Sequence, residues 1–167
     1  MKKILLSFCF ILTMLSCTLA QDKWIDYKID SKLSILVPAQ PTQADEYSVM
    51  AMSKDSLVCV ITRVDMEKVA SLDSAALAGL APTDDFINGI KTGMLDKMKG
   101  YTLGDVKAAK WNGYYSYSID GGNATTGVKS FTFMLIIGKF LYSFSAILPE
   151  NKSTQPKDDF FASLKLN

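Results

Sequence analysis

Residues 111–148 read WNGYYSYSIDGGNATTGVKSFTFMLIIGKFLYSFSAIL. Asn112-Gly113 is the pair that type I′ turns favour, because both central residues of that turn take positive φ. Gly138-Lys139 suits a type II′ turn, which needs glycine at its first central position. Runs rich in aromatic and β-branched residues flank both turns. The stretch therefore predicts two antiparallel hairpins.

Pairing about these turns predicts which side chains share a face of the sheet. The first turn places Trp111 opposite Tyr114, and the second places Phe133 opposite Phe144. Burial of one large apolar side chain contributes about 1.5–3 kcal/mol, so we expect the more aromatic face to form the core. That face is predicted to carry Tyr115, Tyr117, Ile119, Phe131, Phe133, Leu135, Ile137, Phe140, Tyr142 and Phe144.

Upstream of the hairpins, apolar runs bounded by turn residues predict four strands. They cover residues 23–29, 33–37, 46–52 and 57–66, and Pro38 ends the second one. The strand at 57–66 is apolar on both faces, which is typical of a central strand covered on both sides.

Three segments have helical patterns. An alanine-rich segment predicts a short helix at 71–80, and Thr83 is a suitable N-cap for a longer helix over 84–99. A last helix is predicted from 153 to near 166. The predicted fold class is α+β: a single antiparallel sheet of about six to seven strands, with the long mid-chain helix and the short C-terminal helix packed on it.

The amino terminus has the pattern of a secretory signal peptide. A short basic segment precedes an apolar run over 4–16, which is shorter than the about 20 residues that span a bilayer. Small residues up to Ala20 suit cleavage before Gln21. We therefore expect residues 1–20 to be a signal peptide and residues 21–167 to be a single domain that is secreted or periplasmic.

A second cleavage pattern overlaps the first. Met14-Leu15-Ser16-Cys17 is similar to a lipoprotein box, in which the cysteine is lipidated and becomes the first residue. In that alternative the protein is a membrane-anchored lipoprotein, and contact with the membrane is expected only through the lipid on Cys17.

Composition excludes several classes of function. The chain has 18 basic and 17 acidic side chains and no histidine. Its formal net charge of +1 gives no electrostatic reason to expect nucleic acid as a partner. Without histidine there is no Ser-His-Asp triad and no histidine metal site, and Cys59 alone cannot hold zinc. We expect no cofactor and no metal, and Cys59, within an apolar run, is predicted to be a buried thiol.

The order of these elements resembles the PsbP-like fold, which is named for the extrinsic protein P of photosystem II and includes small exported bacterial proteins. The resemblance rests on the apolar strand at 33–37 ended by proline, the helix before the hairpins, the long hairpin over 131–148 and the closing segment 160–166. It implies a PsbP-like α+β domain over 21–167 and export. It implies no catalytic residue, because bacterial members of the family mostly have no known activity.

The candidate binding surface is the more polar face of the two hairpins. Hydroxyl groups there, two aromatic rings near the first turn and the adjoining loop at 120–127 suit a shallow site for a small ligand or an envelope protein. The candidate residues are Trp111, Tyr114, Ser116, Ser118, Asp120, Asn123, Thr132, Ser143 and Ser145. The alternative interpretation is a face that a helix covers or that simply meets solvent.

The pattern favours a non-catalytic binding or accessory module of the cell envelope over an enzyme. A first alternative is a carrier of a small apolar ligand or lipid, in which the aromatic face lines a cavity of a few hundred Å³. A weaker alternative is a hydrolase that uses carboxylates alone, which requires a cleft with converging carboxylates.

Overall fold

The computed structural model of the protein describes residues 24–167, so the predicted signal peptide and Cys17 lie outside the described residues. In chain order the strands are β1 (Ile25–Lys28), β2 (Leu33–Val37), β3 (Thr42–Gln43), β4 (Ser48–Met52), β5 (Val58–Asp65), β6 (Thr102–Leu103), β7 (Lys107–Trp111), β8 (Tyr114–Asn123), β9 (Val128–Ile137), β10 (Phe140–Pro149) and β11 (Lys165–Leu166). The helices are α1 (Met66–Ala70), α2 (Ser74–Leu80), α3 (Asp84–Lys97) and α4 (Gln155–Ala162).

The strands form two antiparallel sheets. An eight-stranded sheet has the order β3-β4-β5-β10-β9-β8-β6, with β7 also paired to β8, and a three-stranded sheet has the order β1-β2-β11. The α+β class is confirmed, but the single sheet of six to seven strands is wrong. The closing segment leaves its helix at Ala162, and Lys165 and Leu166 then pair with β2, which creates the second sheet.

Both predicted turns are confirmed. Asn112 and Gly113 have φ of 48° and 85°, as a type I′ turn requires, and Gly138 has a φ of 61°. Trp111 pairs with Tyr114 in the first hairpin, and Phe133 pairs with Phe144 in the second. The turn residues alone thus determined the register within each hairpin.

The register between the two hairpins differs from the prediction. Ser118 lies opposite Phe133, and Tyr117 lies opposite Met134. Directly opposed residues of an antiparallel pair share a face, so the odd-numbered residues of β8 and of β9 lie on opposite faces of the sheet. The expectation that Tyr117 and Ile119 join Phe133 and Phe144 in one core is wrong, because β8 continues to Asn123 and leaves only a short connection to β9.

The sheet consequently has two packed faces. We call the face that carries Phe133 and Phe144 the front face and the face that carries Tyr117 and Met134 the back face. The small sheet and α4 cover the front face, and α2 and α3 contact the back face. The buried front cluster comprises Leu33, Ile35, Val37, Ala51, Leu57, Cys59, Ile61, Leu135, Ile137, Tyr142, Phe144, Ala146, Leu148, Phe160 and Leu164.

The long helix α3 begins where the sequence predicts. The Thr83 hydroxyl accepts a hydrogen bond from the Phe86 main-chain N–H, and Asp84 and Asp85 occupy the first turn. α3 packs on the back face, and no residue of it is fully buried. The back face is therefore covered incompletely, and Val58 and Val60 of β5 are only half-buried.

Two glycines give a test of this architecture. A β-carbon on Gly121 would lie 2.5 Å from Leu103 Cδ2 and 2.8 Å from the Thr102 carbonyl oxygen, whereas one on Gly93 of α3 would meet no atom within 4 Å. We expect Gly121→Ala to lower the free energy of unfolding by about 1–3 kcal/mol, because the β6–β8 pairing must open. Gly93→Ala is expected to raise it by up to about 1 kcal/mol. Urea denaturation measures both, and a neutral Gly121→Ala would contradict the β6–β8 contact.

Candidate functional site

The predicted site residues divide between the two faces of the large sheet. The register of β7, β8 and β9 places Trp111, Ser118 and Asp120 on the front face. The side chains of Thr132, Ser143 and Ser145 lie on the back face. The continuous hydroxyl surface predicted from the sequence therefore does not form, because the two hairpins join in a different register.

Back-face hydroxyl groups bond to one another across strands. Thr132 Oγ1 lies 2.9 Å from Ser145 Oγ, and Ser48 Oγ lies 2.9 Å from Thr62 Oγ1. Thr132 is buried, so this pairing satisfies a hydroxyl that would otherwise be costly to hold away from water. The Thr132 and Ser145 hydroxyls thus have a structural role.

A cleft on the front face brings the other predicted residues together with aromatic rings. It lies between β8, β9 and α4 and has a volume of about 440 Å³. We call it the aromatic cleft. It is open to solvent, and its lining residues are Trp111, Ser118, Asp120, Phe131, Thr132, Phe133, Lys157, Phe161 and Ala162. The side chain of Thr132 is on the back face, so its hydroxyl does not enter the cleft.

Helix α4 forms one wall of the aromatic cleft. Phe160 of α4 is fully buried in the front cluster, which holds the helix on the sheet, and the neighbouring Phe161 reaches the cleft. The Phe161 ring packs edge-on against Phe133, with 6.4 Å between ring centroids. Edge-to-face packing at this distance is favourable and keeps both rings in place.

Charged groups lie at this aromatic wall. Lys157 Nζ is 4.6 Å from the centroid of the Phe131 ring and forms an ion pair with Asp158. Asp120 lies opposite Phe131 in the β8–β9 ladder and is exposed. Within residues 24–167 its carboxylate has no hydrogen bond or ion pair, whereas the Lys157 charge is already compensated.

The remaining predicted residues lie elsewhere. Tyr114 is exposed beside the first turn, and Ser116 is buried between Ala109 and Leu135. Asn123 ends β8, and its side-chain oxygen accepts hydrogen bonds from the main-chain N–H groups of Thr125 and Thr126. Asp120 and Asn123 are thus strand residues and not part of a loop over 120–127, and the Asn123 side chain shapes the turn.

The sequence pattern does not indicate the cleft residues that α4 contributes. Phe161 and Lys157 follow the hairpins by many residues, and no spacing rule links a helix to a particular part of a sheet. Phe131 and Phe133 were predicted as core, but both are half-buried, because the small sheet covers only part of the front face. One sequence signal could have indicated Phe131 and Phe133: the run of aromatic residues in β9 and β10 is longer than the elements that could cover it.

A second cleft lies at the opposite end of β10. Its volume is about 520 Å³, and we call it the Arg63 cleft. It lies beside α1, whose N-cap is Asp65. The lining residues are Glu46, Tyr47, Arg63, Asp65, Lys68, Val69 and Phe140.

Asp30 connects the two sheets beside the Arg63 cleft. Its Oδ1 accepts hydrogen bonds from the main-chain N–H groups of Lys32 and Leu33, at 2.7 and 3.1 Å. Its Oδ2 accepts from Arg63 Nε at 2.9 Å and from the Tyr142 hydroxyl at 2.6 Å. The Asp30 carboxylate, in the connection between β1 and β2, thus accepts hydrogen bonds from side chains of two strands of the large sheet, β5 and β10.

These contacts change the pKa values of the groups involved. Burial by itself would raise the pKa of Asp30, but the hydrogen bonds from Tyr142, Lys32 and Leu33 and the charge of Arg63 outweigh it, and the pKa lies below the ordinary value of 3.8. Burial, with the hydrogen bond to Asp30, raises the pKa of Tyr142 to about 12. Burial also raises the pKa of the Cys59 thiol to about 12, so this thiol is not activated as a nucleophile.

Within residues 24–167, no three Cys, Asp or Glu side chains come close enough together to hold a metal ion. Asp26 and Asp30, which recur four residues apart, form ion pairs with Lys165 and Arg63 respectively. No helix in the described part of the chain is long and apolar enough to cross a membrane.

Comparison with solved structures identifies the fold. Cyanobacterial PsbP from Synechocystis matches with a TM-score of 0.53 and 13% sequence identity, over 90% of this chain and 96% of that protein. The chain therefore has a PsbP-like fold. At this identity the likeness concerns the fold and not the activity.

Two weaker matches were also found. A protein from Bacteroides thetaiotaomicron matches with a TM-score of 0.39 and 14% identity, over 81% of this chain and 45% of that one. A protein of unknown function from Pseudomonas aeruginosa matches with a TM-score of 0.49 and 10% identity, over 80% of this chain and 90% of that one. No family model and no curated protein matches the sequence.

The paired hydroxyls of the back face predict a difference between two serines. Ser145→Ala leaves the buried Thr132 hydroxyl without its partner, and we expect the free energy of unfolding to fall by about 1–2 kcal/mol. Ser118→Ala in the aromatic cleft removes no such bond and should change stability by less than about 0.5 kcal/mol. Chemical denaturation compares the two. Addition of Thr132→Val to Ser145→Ala should recover part of the loss, and equal effects of the two serine variants would contradict the assignment.

The low pKa of Asp30 predicts an acid-dependent contribution to stability. Because the pKa in the folded state lies below the unfolded value, ionised Asp30 stabilises the fold at neutral pH, and this stabilisation is lost as the pH falls through the folded-state pKa. We expect Asp30→Asn to lower the free energy of unfolding at pH 7 by about 2–3 kcal/mol. The difference from the wild type should shrink below about pH 4. A difference that stays constant from pH 7 to pH 3 in urea denaturation would contradict this role.

Proposed function

We propose that the protein is a non-catalytic binding module of the cell envelope and that its small ligand binds in the aromatic cleft. The observation that carries the proposal is the joining of aromatic side chains of β7, β9 and α4 into one open cleft of about 440 Å³. This volume lies within the range of about 300–1,000 Å³ that is typical of small-molecule sites.

The chemistry of the cleft limits the class of ligand. Trp111, Phe131, Phe133 and Phe161 offer apolar surface to a flat, ring-shaped body. Asp120 offers a carboxylate that has no partner within residues 24–167. Such a group accepts hydrogen bonds and attracts cations. We infer a ligand with a ring and a hydrogen-bond-donating group, such as an amine or a hydroxyl.

The alternative functions fit this geometry less well. Of the described residues that line the aromatic cleft, Asp120 is the one carboxylate, whereas hydrolysis by carboxylates alone uses a pair. A carrier that encloses its ligand behind the front-face rings is not supported either, because Tyr142 and Phe144 are fully buried against β2 and α4. Binding in an open cleft needs neither a second acid nor an enclosed cavity.

Export forms part of the proposal. The basic segment, apolar run and small residues over 1–20 support secretion or a periplasmic location after cleavage near Ala20. The lipoprotein alternative through Cys17 is distinguished by mass spectrometry of the amino terminus, which would show Gln21 or a lipidated cysteine as the first residue.

Three matched probes test the proposed ligand class. Benzylamine, benzyl alcohol and phenylacetate share one ring and differ in the charge and donor character of the polar group. In NMR titrations we expect benzylamine and benzyl alcohol to shift the Trp111 indole N–H signal in a saturable way. Phenylacetate is expected to bind at least threefold more weakly than benzylamine, because Asp120 repels its carboxylate.

Variants of the cleft provide the controls. Phe161→Ala should weaken both ring-bearing donors at least fivefold, since one aromatic wall is lost. Asp120→Asn should weaken benzylamine more than benzyl alcohol. Met50→Ala on the back face should change neither affinity. Thermal unfolding verifies that each variant is folded, and binding that is insensitive to Phe161→Ala, or no binding of any probe, would overturn the proposal.

A further inference from the structure

Arg63 is the single arginine among the 18 basic residues of the sequence. Its guanidinium carbon Cζ lies 3.8 Å from the centroid of the Phe140 ring, and its Nε donates to Asp30 Oδ2. A stacked guanidinium whose inner edge is hydrogen-bonded loses much of its freedom to rotate. The group is therefore held in one orientation before any ligand arrives.

The outer edge of this guanidinium is available. Within residues 24–167 the Arg63 side chain donates through Nε to Asp30 Oδ2 and also interacts with the Tyr142 hydroxyl, which donates to the same oxygen. The Arg63 side chain is 38% exposed at the Arg63 cleft. Asp30 cannot satisfy the outer nitrogens, since its two oxygens already accept four hydrogen bonds. Two parallel N–H donors in a fixed plane match the oxygens of a carboxylate.

Asp65, an acidic residue in the same cleft, already has hydrogen-bond and ion-pair partners. Asp65 Oδ1 caps α1 by accepting from the main-chain N–H groups of Glu67 and Lys68, and its Oδ2 lies 3.2 Å from Lys139 Nζ. Glu46 is exposed at the rim of the cleft and next to Tyr47. Lys139 is shared between Asp65 and Glu67, so one acidic charge of that cluster opposes an anion here together with Glu46. Solvent screens the exposed Glu67 and Glu46 carboxylates.

Lys68 supplies a second cation. It lies on α1 and lines the cleft, and within the described chain its ammonium group forms no ion pair. Lys32, which also has no ion pair among residues 24–167, places its ammonium group 6.0 Å from the centroid of the Phe140 ring. Lys68 thus lines the Arg63 cleft, and Lys32 lies near the Phe140 ring at its edge, each without an ion pair among residues 24–167.

We propose that the Arg63 cleft binds a small organic acid with two carboxylates, one held by the outer edge of Arg63 and the other by Lys68. Tyr47, Val69 and Phe140 supply apolar walls for the short carbon chain between the carboxylates. Inorganic phosphate shares the charge but has no carbon chain to place against these walls. The site is separate from the aromatic cleft, so this proposal is independent of the proposed function.

Succinate is the probe, and its neutral diamide is the matched control. In calorimetric or NMR titrations of the full protein, we expect saturable succinate binding and no detectable binding of the diamide. Acetate and inorganic phosphate are expected to bind at least fivefold more weakly than succinate. Phosphate binding as tight as that of succinate would overturn the assignment to dicarboxylates.

Conservative variants separate binding from folding. Arg63→Lys keeps the charge but loses the planar pair of donors, and it should weaken succinate at least tenfold. Lys68→Gln should weaken succinate several-fold, and Glu46→Gln should strengthen it about twofold, because each changes a charge without breaking a structural ion pair. Lys110→Gln is the matched control, since Lys110 also lies over an aromatic ring, that of Tyr115, but far along the sheet.

The succinate affinities of these variants either support the proposed site or overturn it. A succinate affinity that falls in Arg63→Lys and Lys68→Gln, rises in Glu46→Gln and is unchanged in Lys110→Gln supports the site, provided that thermal unfolding midpoints show folded variants. No saturable succinate binding, or a decrease with Lys110→Gln that equals the decrease with Lys68→Gln, would show that any attraction is non-specific and would overturn the proposal.

Discussion

The register between β8 and β9 is the constraint on which the rest of the structure depends. Side chains alternate across a strand, so a shift of one residue exchanges the two faces of the whole strand. With Ser118 opposite Phe133, Tyr115 and Tyr117 of β8 lie on the back face, and the aromatic rings of β9 and β10 lie on the front face. The sheet therefore has two apolar faces, and each requires its own cover.

The small sheet and α4 do not cover the whole front face, and the two clefts form where they end. The small sheet and α4 bury the centre of the front face but leave Phe131 and Phe133 half-buried, with Phe161 of α4 packed against Phe133. At the other end of β10, the Arg63 guanidinium stacks on the Phe140 ring. Accessible surface therefore remains on both sides of the small sheet and α4, where aromatic rings lie beside charged groups.

The elements of the fold could largely be predicted from the sequence, because local chemistry decides them. Asn112-Gly113 and Gly138 determine two hairpins and their internal registers, and Thr83 begins the long helix. The pairing between hairpins could not be predicted, because no turn residue encodes it. The second sheet was missed for a related reason, since β11 is two residues long and pairs with a strand more than a hundred positions away.

The candidate site was predicted in part, and the division has a physical basis. Trp111, Ser118 and Asp120 lie together because they belong to one hairpin whose register is local. Thr132 and Ser145 are opposed to each other as predicted, yet they face the other side, where their hydroxyls satisfy one another. A polar stripe on a strand thus has two interpretations that pattern alone cannot separate: groups that await a ligand and groups that already have a partner. Among residues 24–167, Asp120 makes no side-chain hydrogen bond, whereas Asp30 accepts four. The number of hydrogen bonds already made thus distinguishes a candidate for binding from a structural residue.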